Sequence, residues 1–229
     1  MKYGLIIFDA DETLFDFKKS EKVALESTMK DFSIDYEEGY HLEIYKEINS
    51  AVWKELEKGL ITQKELNDLR FQRLLERLKV NRNALEFAGT YIKHLSRASF
   101  LYEESLDLIE NLSKDYRMVI LSNGLKDVQD NRLRKSILSG YFEDIIISEE
   151  VGLAKPDPAI FELLFRHIRY TEKSKALMIG DSLSSDIQGG INFGIDTCWL
   201  NAGKAPNRSE IKPTFEINRL EELYALLQS

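Results

Sequence analysis

The sequence contains little cysteine, proline and glycine, and it has no long run of apolar residues. Its 229 residues include one cysteine, four prolines and twelve glycines. A single cysteine excludes a disulfide bond within the chain and is typical of a reducing compartment. The low content of proline and glycine excludes collagen-like and low-complexity proteins. Since no apolar run approaches the roughly 20 residues of a membrane-spanning helix, we expect a soluble protein in the cytoplasm.

Positive charge is outnumbered by negative charge. Lysine and arginine number 31 against 39 aspartates and glutamates, which gives a formal net charge of −8 at pH 7. Such a chain repels a polyphosphate backbone, so we expect no nucleic-acid polymer among its partners. A small anionic substrate is compatible with this charge, because a local site can oppose the charge of the whole chain. The apolar content of 43% excludes a disordered chain.

Five short apolar runs alternate with helical patterns along most of the chain. Continuous runs of this length are typical of strands that are buried on both faces of a parallel sheet. Between two of them, Phe161, Leu164, Phe165 and Ile168 have the spacing of one helix face. The alternation predicts a doubly wound, Rossmann-like α/β core. The runs are residues 4–8, Met118–Leu121, Ile145–Ile147, Ala176–Ile179 and Ile195–Leu200.

The interval between the first and second runs breaks this alternation. It is far longer than the roughly 30 residues of a βαβ unit, and it carries helical patterns such as that of residues 71–78. We therefore predict that a helical domain, residues 16–97, is inserted into an α/β catalytic core made of residues 1–15 and 98–229. Three glycines are predicted to mark boundaries within the insertion: Gly39, Gly59 and Gly89.

Polar residues that can carry chemistry follow the first two predicted strands. Asp9 and Asp11 come directly after the first, and Ser122-Asn123-Gly124 follows the second. Two carboxylates so close together raise each other's pKa or require a cation, while a hydroxyl and amides can donate hydrogen bonds to an anion. Each motif also has a structural interpretation, because Asp, Ser and Asn commonly form turns and helix caps.

Two further motifs follow later strands. Lys155 and Pro156 come after the third strand in the chain, and Asp181 and Asp186 come after the fourth. The carboxyl ends of parallel strands share the edge at which open α/β sheets bind ligands, so we expect these side chains to meet there. Their oxygen ligands favour Mg²⁺ over zinc or copper. The three histidines show no metal-binding spacing.

Taken in order, these motifs resemble the four motifs of the haloacid dehalogenase-like hydrolases. The resemblance covers essentially the whole chain, and the predicted insertion is similar to the helical cap of that superfamily. Within the superfamily, the opening from Asp9 to Phe17 is similar to the noncanonical pyrimidine 5′-nucleotidases, which act on nucleoside 5′-monophosphates. The matching segments are Asp9-Ala10-Asp11-Glu12-Thr13-Leu14, Ser122-Asn123-Gly124, Lys155-Pro156, and Gly180-Asp181 with Asp186.

The resemblance implies roles for the acidic residues. Asp9 resembles a nucleophile that forms an aspartyl-phosphate. Asp11 resembles the acid that protonates the leaving oxygen and then the base that activates water. Mg²⁺ would be held by Asp9, by Asp181 and by the main-chain carbonyl of Asp11. Asp186 would lie behind these ligands and hold a metal-bound water or the lysine of the third motif.

The resemblance also implies how substrate is held. Ser122 and the Asn123 main chain would bind phosphate oxygens, and Lys155 would offset charge in the transition state. Selectivity is expected from the predicted cap and from the turn at Phe15, Asp16 and Phe17. Five aromatic residues of the insertion are candidates for substrate contact, although helix packing is the more common role of such residues: Tyr40, Tyr45, Trp53, Phe71 and Tyr91.

The predicted function is therefore a Mg²⁺-dependent phosphomonoesterase that hydrolyses nucleoside 5′-monophosphates, with a preference for pyrimidines. A general phosphatase of small metabolites and a sugar phosphomutase stay open as alternatives. A haloacid dehalogenase lacks the second carboxylate of the first motif, so Asp11 argues against that activity. A regulatory module that binds a phosphorylated ligand without turnover is a different class of protein, since fold alone does not determine function.

Overall fold

The structure of the chain, a computed structural model, describes residues 2–228 apart from the side chains of residues 57, 63 and 64. The chain forms two compact units. The first, which we call the sheet unit, runs up to Phe17 and continues from Ser99 onward. The second, the helical unit, comprises Lys18–Ala98. Within the described residues, no helix is both long enough and apolar enough to cross a membrane. That the two units act as catalytic core and cap stays a prediction.

Six parallel strands form one sheet in the sheet unit, in the order β3-β2-β1-β4-β5-β6. The strands are β1 (Leu5–Phe8), β2 (Arg117–Ser122), β3 (Asp144–Ile147), β4 (Ala176–Gly180), β5 (Asp196–Leu200) and β6 (Phe215–Ile217). The predicted doubly wound α/β fold is confirmed. The sequence pattern does not predict β6, because this strand has three residues of which Ile217 alone is buried, too few for an apolar run.

Four helices account for most of the helical unit: α1 (Phe17–Asp31), α2 (Glu43–Glu57), α3 (Gln63–Leu78) and α4 (Ala84–Leu95). The predicted apolar face lies on α3, where Phe71, Leu74 and Leu75 are buried. Among the described residues no strand lies between β1 and β2. The long interval after β1 is therefore helical, as its sequence pattern predicts.

Two of the three glycines predicted to mark boundaries lie near helix ends. Gly59 follows α2 with a left-handed φ of 68°, and Gly39 lies in the short π-helical turn Glu38–Leu42 that precedes α2. Gly89, in contrast, lies inside α4, so the predicted boundary there is wrong. Burial of Phe87 and Tyr91 on one face of α4 outweighs the roughly 1 kcal/mol that a glycine costs within a helix.

Helices cover both faces of the sheet. Because side chains alternate along a strand, Ile6 and Phe8 of β1 pack in one apolar cluster and Leu5 and Ile7 in another. The first cluster includes residues of α5 and α10, and the second includes residues of α8 and α9. The helices of the sheet unit are α5 (Ser105–Leu112), α6 (Lys126–Gln129), α7 (Ser148–Val151), α8 (Pro158–His167), α9 (Gln188–Phe193) and α10 (Glu222–Gln228).

Candidate active site

The carboxyl ends of β2, β1 and β4 are neighbours in the sheet, at the point where the order of the strands reverses direction. β1 lies between β2 and β4, with Phe8 aligned with Ile120 and Ile179. From β1 the chain first builds the sheet out to β3 and then returns to add β4 on the other side. Such a switch point is the usual ligand-binding crevice of an open α/β sheet. Asp9 follows β1 here, and its main-chain N–H donates to the Ile179 carbonyl over 2.8 Å.

Three carboxylates gather at this point, and two of them pair with one lysine. Carboxylate oxygens of Asp9, Asp181 and Asp186 lie within 4.8 Å of one another. The Lys155 Nζ donates to Asp9 Oδ1 over 2.6 Å and contacts Asp186 Oδ1 at 2.8 Å. Asp9, Lys155 and Asp186 are 8%, 3% and 1% exposed, respectively, so water contributes little to the solvation of their charges. When ionised, the four side chains carry two more negative charges than positive ones.

Burial controls the ionisation of this group. Burial raises the pKa of Asp9 well above its usual value; the Lys155 ammonium opposes this rise, whereas the Asp186 and Asp181 carboxylates add to it. Burial alone would lower the pKa of Lys155, but its attraction to Asp186 and Asp9 raises that pKa above the ordinary value. The lysine therefore stays charged without balancing the three acids. A divalent cation would balance them, and carboxylate oxygens are the ligands that Mg²⁺ prefers.

Asp186 reaches this group because the chain has no side chain at residue 180. A Cβ added at Gly180 would collide with the Asp186 carboxylate. The main-chain N–H of Ser182 donates to Asp186 Oδ2 over 2.9 Å, while the Ser182 hydroxyl caps the following turn by accepting from the Ser185 N–H. Glycine at the end of β4 thus permits the close approach of a carboxylate four residues beyond Ser182. Asp186 thus contacts Lys155, and its predicted place behind the metal ligands stays a prediction.

Asn123 uses its side chain to hold the backbone of Lys155. Its Nδ2 donates to the Lys155 carbonyl over 2.8 Å, and its Oδ1 accepts from the Lys155 N–H over 2.9 Å. This pair of bonds links the loop after β2 to the segment before α8. The amide side chain is therefore engaged, and only the main chain of Asn123 is left for the phosphate contact that the sequence predicts. That contact stays a prediction.

Asp11 has different partners from Asp9. Its Oδ1 accepts from Arg132 Nη1 over 2.7 Å, and its Oδ2 accepts from Gln129 Nε2 over 2.6 Å. The Asp11 carboxylate is not a member of the acidic group around Lys155; its predicted contribution to a metal site is its main-chain carbonyl. Gln129 also donates to the Ser122 hydroxyl over 3.1 Å. Sequence reasoning missed Gln129 and Arg132. The sequence feature that could have indicated them is that they lie three residues apart, shortly after the Ser-Asn-Gly motif.

The loop after β1 is tight and buries one residue that was predicted to be accessible. Glu12 has a left-handed φ of 59°, a conformation that is uncommon outside glycine, and its N–H donates to the Phe15 carbonyl over 2.8 Å. Phe15 is fully buried in the apolar core of the sheet unit. Its predicted role in contacting substrate is wrong, because packing against the sheet leaves no exposed ring. Phe17 is half-buried, and its role stays a prediction.

The aromatic candidates of the helical unit divide by burial. Tyr45, Phe71 and Tyr91 are fully buried and pack on one another, with ring centroids 4.8 to 6.0 Å apart. Helix packing explains these three, as the sequence allowed. Tyr40 is 50% exposed and Trp53 is half-buried. These two are the members of the predicted set whose rings can still meet a ligand.

Comparison with known proteins identifies the family. The sequence matches the haloacid dehalogenase-like hydrolases over residues 3–194, and the chain therefore belongs to this family of hydrolases, as its motifs predict. Pyrimidine 5′-nucleotidase PynA of Streptococcus pneumoniae is 36% identical over 97% of this chain and 94% of its own length. Pyrimidine 5′-nucleotidase YjjG of Escherichia coli is 35% identical over 99% of both chains.

A solved structure agrees with the sequence relatives. The crystal structure of YfnB from Bacillus subtilis, bound to magnesium, matches the present structure with a TM-score of 0.94 and 36% identity. The match covers 100% of both chains. The family and its fold are thus established over essentially the full length of the chain.

Proposed function

We propose that the chain is a Mg²⁺-dependent phosphomonoesterase that hydrolyses nucleoside 5′-monophosphates and prefers pyrimidines. The observation that carries this proposal is the group of three carboxylates at the switch point of the sheet, where the buried Asp9 and Asp186 pair with Lys155 and the half-buried Asp181 lies beside them. Its excess negative charge suits a divalent cation, and its lysine suits an anionic substrate. The names of PynA and YjjG, both pyrimidine 5′-nucleotidases, support the substrate class.

The metal ligands in this proposal are the carboxylates of Asp9 and Asp181 and the main-chain carbonyl of Asp11. Asp186 stays beside Lys155 and keeps the ammonium in place. When bound, Mg²⁺ would supply the positive charge that offsets repulsion between the Asp9 carboxylate and a phosphate dianion. The same charge would relieve the repulsion among the buried acids.

The chemistry proceeds in two steps through Asp9. A carboxylate oxygen of Asp9 attacks phosphorus while the ester P–O bond breaks, and Asp11 gives a proton to the leaving oxygen. Asp11 then takes a proton from water, whose oxygen attacks the same phosphorus and releases phosphate from Asp9. Since Asp9 contacts Lys155 at 2.6 Å, the ammonium lies close enough to the nucleophile to offset charge that develops on the transferring group.

Selectivity must come from the rest of the substrate. A phosphate site formed by Ser122, the Asn123 main chain and Lys155 binds every monoester alike. Contacts with the sugar and base must therefore determine which monoester is preferred. An apolar pocket with few polar groups discriminates by about 1–3 kcal/mol per small group. We therefore expect a graded preference for uridine and thymidine monophosphates, weaker hydrolysis of purine nucleotides and sugar phosphates, and poor hydrolysis of diphosphates and triphosphates.

Phosphate release from a panel of esters tests the proposal. The panel contains deoxyuridine 5′-monophosphate, adenosine 5′-monophosphate and a hexose phosphate, each with Mg²⁺ and with excess chelator. We expect chelation to abolish turnover, Mg²⁺ to restore it, and kcat/KM to be highest for the pyrimidine. Asp181→Asn should weaken activation by Mg²⁺, whereas the matched variant Asp196→Asn, at the amino end of β5, should not.

Other outcomes select the alternatives. A kcat/KM for either competitor that equals or exceeds the pyrimidine value leaves a general phosphatase, and recovery of an isomeric sugar phosphate indicates a phosphomutase. Full turnover in chelator contradicts the metal-dependent phosphatase. Binding of phosphate esters without turnover of any of them identifies a regulatory module.

The helical unit is proposed to select the substrate. Trp53 and Tyr40 are the aromatic candidates there with exposed ring surface. If one of them contacts the base, its replacement by alanine should reduce the preference for the pyrimidine nucleotide over the hexose phosphate without reducing hydrolysis of the hexose phosphate. An unchanged substrate ranking in both variants would place selectivity elsewhere.

A further inference from the structure

The carboxylate of Asp11 is held at both oxygens by two side chains from one short segment. Gln129 ends α6, and Arg132 lies in the π-helical turn Asp130–Arg134 that follows it. The Gln129 Nε2 lies 2.6 Å from Asp11 Oδ2, and the Arg132 Nη1 lies 2.7 Å from Asp11 Oδ1. The Arg132 contact has the length of a charge-assisted hydrogen bond, and the Gln129 contact is slightly shorter. The orientation of the Asp11 carboxylate is therefore set by residues far from it in sequence.

The two holding residues are themselves fixed. Gln129 is 1% exposed and Arg132 is fully buried. Arg132 Nη1 also donates to Gln129 Oε1 over 2.9 Å, and the Arg132 guanidinium carbon lies 4.8 Å from the centre of the Phe17 ring. At Gly124 an added Cβ would collide with the Gln129 amide, so glycine in the Ser-Asn-Gly motif makes room for it. Packing thus restricts both side chains to one arrangement.

Gln129 also connects Asp11 to the proposed phosphate site. The same Nε2 that donates to Asp11 donates to the Ser122 hydroxyl over 3.1 Å. One amide therefore determines the spacing between the proposed proton donor and a proposed phosphate ligand. This spacing matters because proton transfer requires the donor within hydrogen-bond reach of the leaving oxygen, once phosphate is in place.

We infer that Gln129 and Arg132 are positioning residues that orient the Asp11 carboxylate for proton transfer to the leaving oxygen. The inference rests on the proposed function, in which Asp11 is the acid. An aspartate has two rotatable side-chain bonds, and an unsupported carboxylate would spend much of its time turned away from the substrate. Surrounding hydrogen bonds of the kind seen here are what keep a functional side chain in its productive orientation.

The dependence on the leaving group separates positioning from a general structural role. A nucleotide has an alkyl leaving oxygen that needs a proton, whereas the nitrophenolate of p-nitrophenyl phosphate leaves without one. The value of kcat/KM covers only the steps up to transfer of phosphorus to Asp9, so later activation of water does not enter it. A misplaced acid should therefore slow the nucleotide much more than the aryl ester, while a distorted phosphate site should slow both equally.

The experiment measures kcat/KM of the Mg²⁺-loaded protein for uridine 5′-monophosphate and for p-nitrophenyl phosphate. The variants are Gln129→Leu and Arg132→Met, with Arg132→Lys as the conservative change. Arg134→Met is the matched control, because Arg134 lies in the same π-helical turn but pairs at the surface with Asp130 and Glu150. Thermal unfolding of each variant reports whether it is folded.

We expect Gln129→Leu and Arg132→Met to lower kcat/KM for the nucleotide by about 10- to 100-fold, a substantial part of the 10²–10⁴-fold effect of acid–base catalysis. The loss for the aryl ester should be several-fold smaller, and Arg132→Lys should recover part of the nucleotide activity. Arg134→Met should resemble the wild type with both esters.

Two results would overturn the inference while the proposed function stands. One is an equal loss for both esters in a folded variant, and the other is a gain in nucleotide hydrolysis, which would mean that the two side chains restrain Asp11 in an unproductive position. If Arg132→Met does not fold, Gln129→Leu and Arg132→Lys decide between these results. A wild-type protein that hydrolyses neither ester would instead contradict the proposed function.

Discussion

Each unit of the chain buries a cluster of polar side chains, but the two clusters differ in how their charges are balanced. In the sheet unit, Asp9 and Asp186 pair with Lys155, and Asp181 lies beside these two acids. In the helical unit, one carboxylate, Glu21, and one guanidinium, Arg70, are both less than a tenth exposed. The first cluster has excess negative charge when ionised, and the second is neutral overall.

The cluster of the helical unit is connected by neutral side chains. Asn49 Nδ2 donates to Glu21 Oε1 over 3.0 Å, and Arg70 Nη1 donates to Asn49 Oδ1 over the same distance. The Tyr45 and Tyr91 hydroxyls are 2.7 Å apart, and burial raises the pKa of Tyr45 above its usual value. The Arg70 guanidinium also lies over the Tyr91 ring at 5.2 Å. Such a network is well suited to holding four helices in one arrangement.

The difference teaches how to separate structural from functional burial of charge. A balanced, hydrogen-bonded cluster can be retained for the fold alone, whereas an unbalanced one costs stability until a ligand arrives. Strained or destabilised groups tend to persist where function needs them. The charge balance therefore points to the sheet unit as the place of chemistry and to the Glu21–Arg70 cluster as a structural element. Four predictions test this comparison.

The largest effect is expected for Asp9→Asn. Removing the proposed nucleophile should lower kcat for nucleotide hydrolysis by at least about 10³-fold, in line with the cost of nucleophile removal in other covalent enzymes. Because the change also replaces a buried acid that is crowded by two others with a neutral amide, the metal-free protein should become more stable where Asp9 is ionised. About 1 kcal/mol would raise the unfolding midpoint by about 2–4 °C. Retained activity would contradict the covalent route, and lower stability would contradict the charge argument.

The opposite stability effect is expected for Arg70→Met in the helical unit. This change removes the Arg70 guanidinium, which donates to Asn49 Oδ1 over 3.0 Å and to the Tyr45 hydroxyl over 3.3 Å, two side chains that in turn donate to Glu21. Buried polar groups that lose a charged donor cost about 1–3 kcal/mol each. Arg73→Met is the matched control on the same helix, since Arg73 pairs with Glu55 at a partly exposed position and such pairs contribute about 0–1 kcal/mol. Urea unfolding followed by circular dichroism measures both losses. Equal losses would show that the Glu21–Arg70 cluster is not a special stabilising element.

A smaller effect on the stability of the folded protein is expected when pH and Mg²⁺ are varied together. Because the folded-state pKa of Asp9 is raised, the folded protein holds a proton that the unfolded chain has already released above the ordinary aspartate pKa. The stability of the metal-free protein should therefore fall as pH rises through this window. Mg²⁺ needs ionised ligands, so its stabilisation should increase with pH.

Thermal unfolding at pH 5.5 and pH 8, with Mg²⁺ and with chelator, measures this coupling. The rise in the unfolding midpoint caused by Mg²⁺ should be larger at pH 8, by about 2–4 °C for each kcal/mol. Asp181→Asn should reduce that rise, whereas Asp196→Asn should leave it unchanged. A rise that is equal at the two pH values would contradict the assignment of the buried acids as metal ligands.

The smallest effect is expected for Cys198, a buried ionisable group that lies in neither cluster. It is buried in β5, and burial raises the pKa of its thiol to about 12. The folded protein should therefore show almost no reaction with iodoacetamide at pH 8, because the thiolate is the reactive form. Mass spectrometry of labelled native and urea-unfolded protein checks this. Rapid labelling of the native protein would contradict the burial.

Much of the fold could be predicted because the pattern of apolar residues along a strand or helix reflects which of its side chains are buried. β1 to β5 are buried on both faces, so each has a continuous apolar run, and each of the five predicted runs overlaps a strand. β6 could not be found in this way, since a three-residue edge strand needs only one buried side chain. The helix boundary predicted at Gly89 was wrong for a related reason. The packing of one face of α4 outweighs the cost of a glycine inside the helix, and the sequence pattern does not show that packing.

The candidate site was predictable in part. Asp9, Lys155 and Asp181 follow strands whose carboxyl ends share an edge, so their meeting follows from the order of the strands. Phe15 was misjudged because its burial depends on how the loop after β1 folds back onto the core. Gln129 and Arg132 were missed because a three-residue spacing between two polar side chains is too common to indicate a site. Their importance is visible only through contact with Asp11, which lies 118 residues before Gln129.

The sequence by itself determined the strand–helix alternation, the helical insertion, the family and the acids that end the strands. These features depend on short-range patterns: apolar periodicity, glycine and the order of a few polar motifs. Only the tertiary structure decided which acids share Lys155 and which one is held by Gln129 and Arg132. Those contacts join segments that are distant in sequence. The energy of a charged side chain depends on the groups within a few ångströms of it, and a local sequence pattern does not specify those groups.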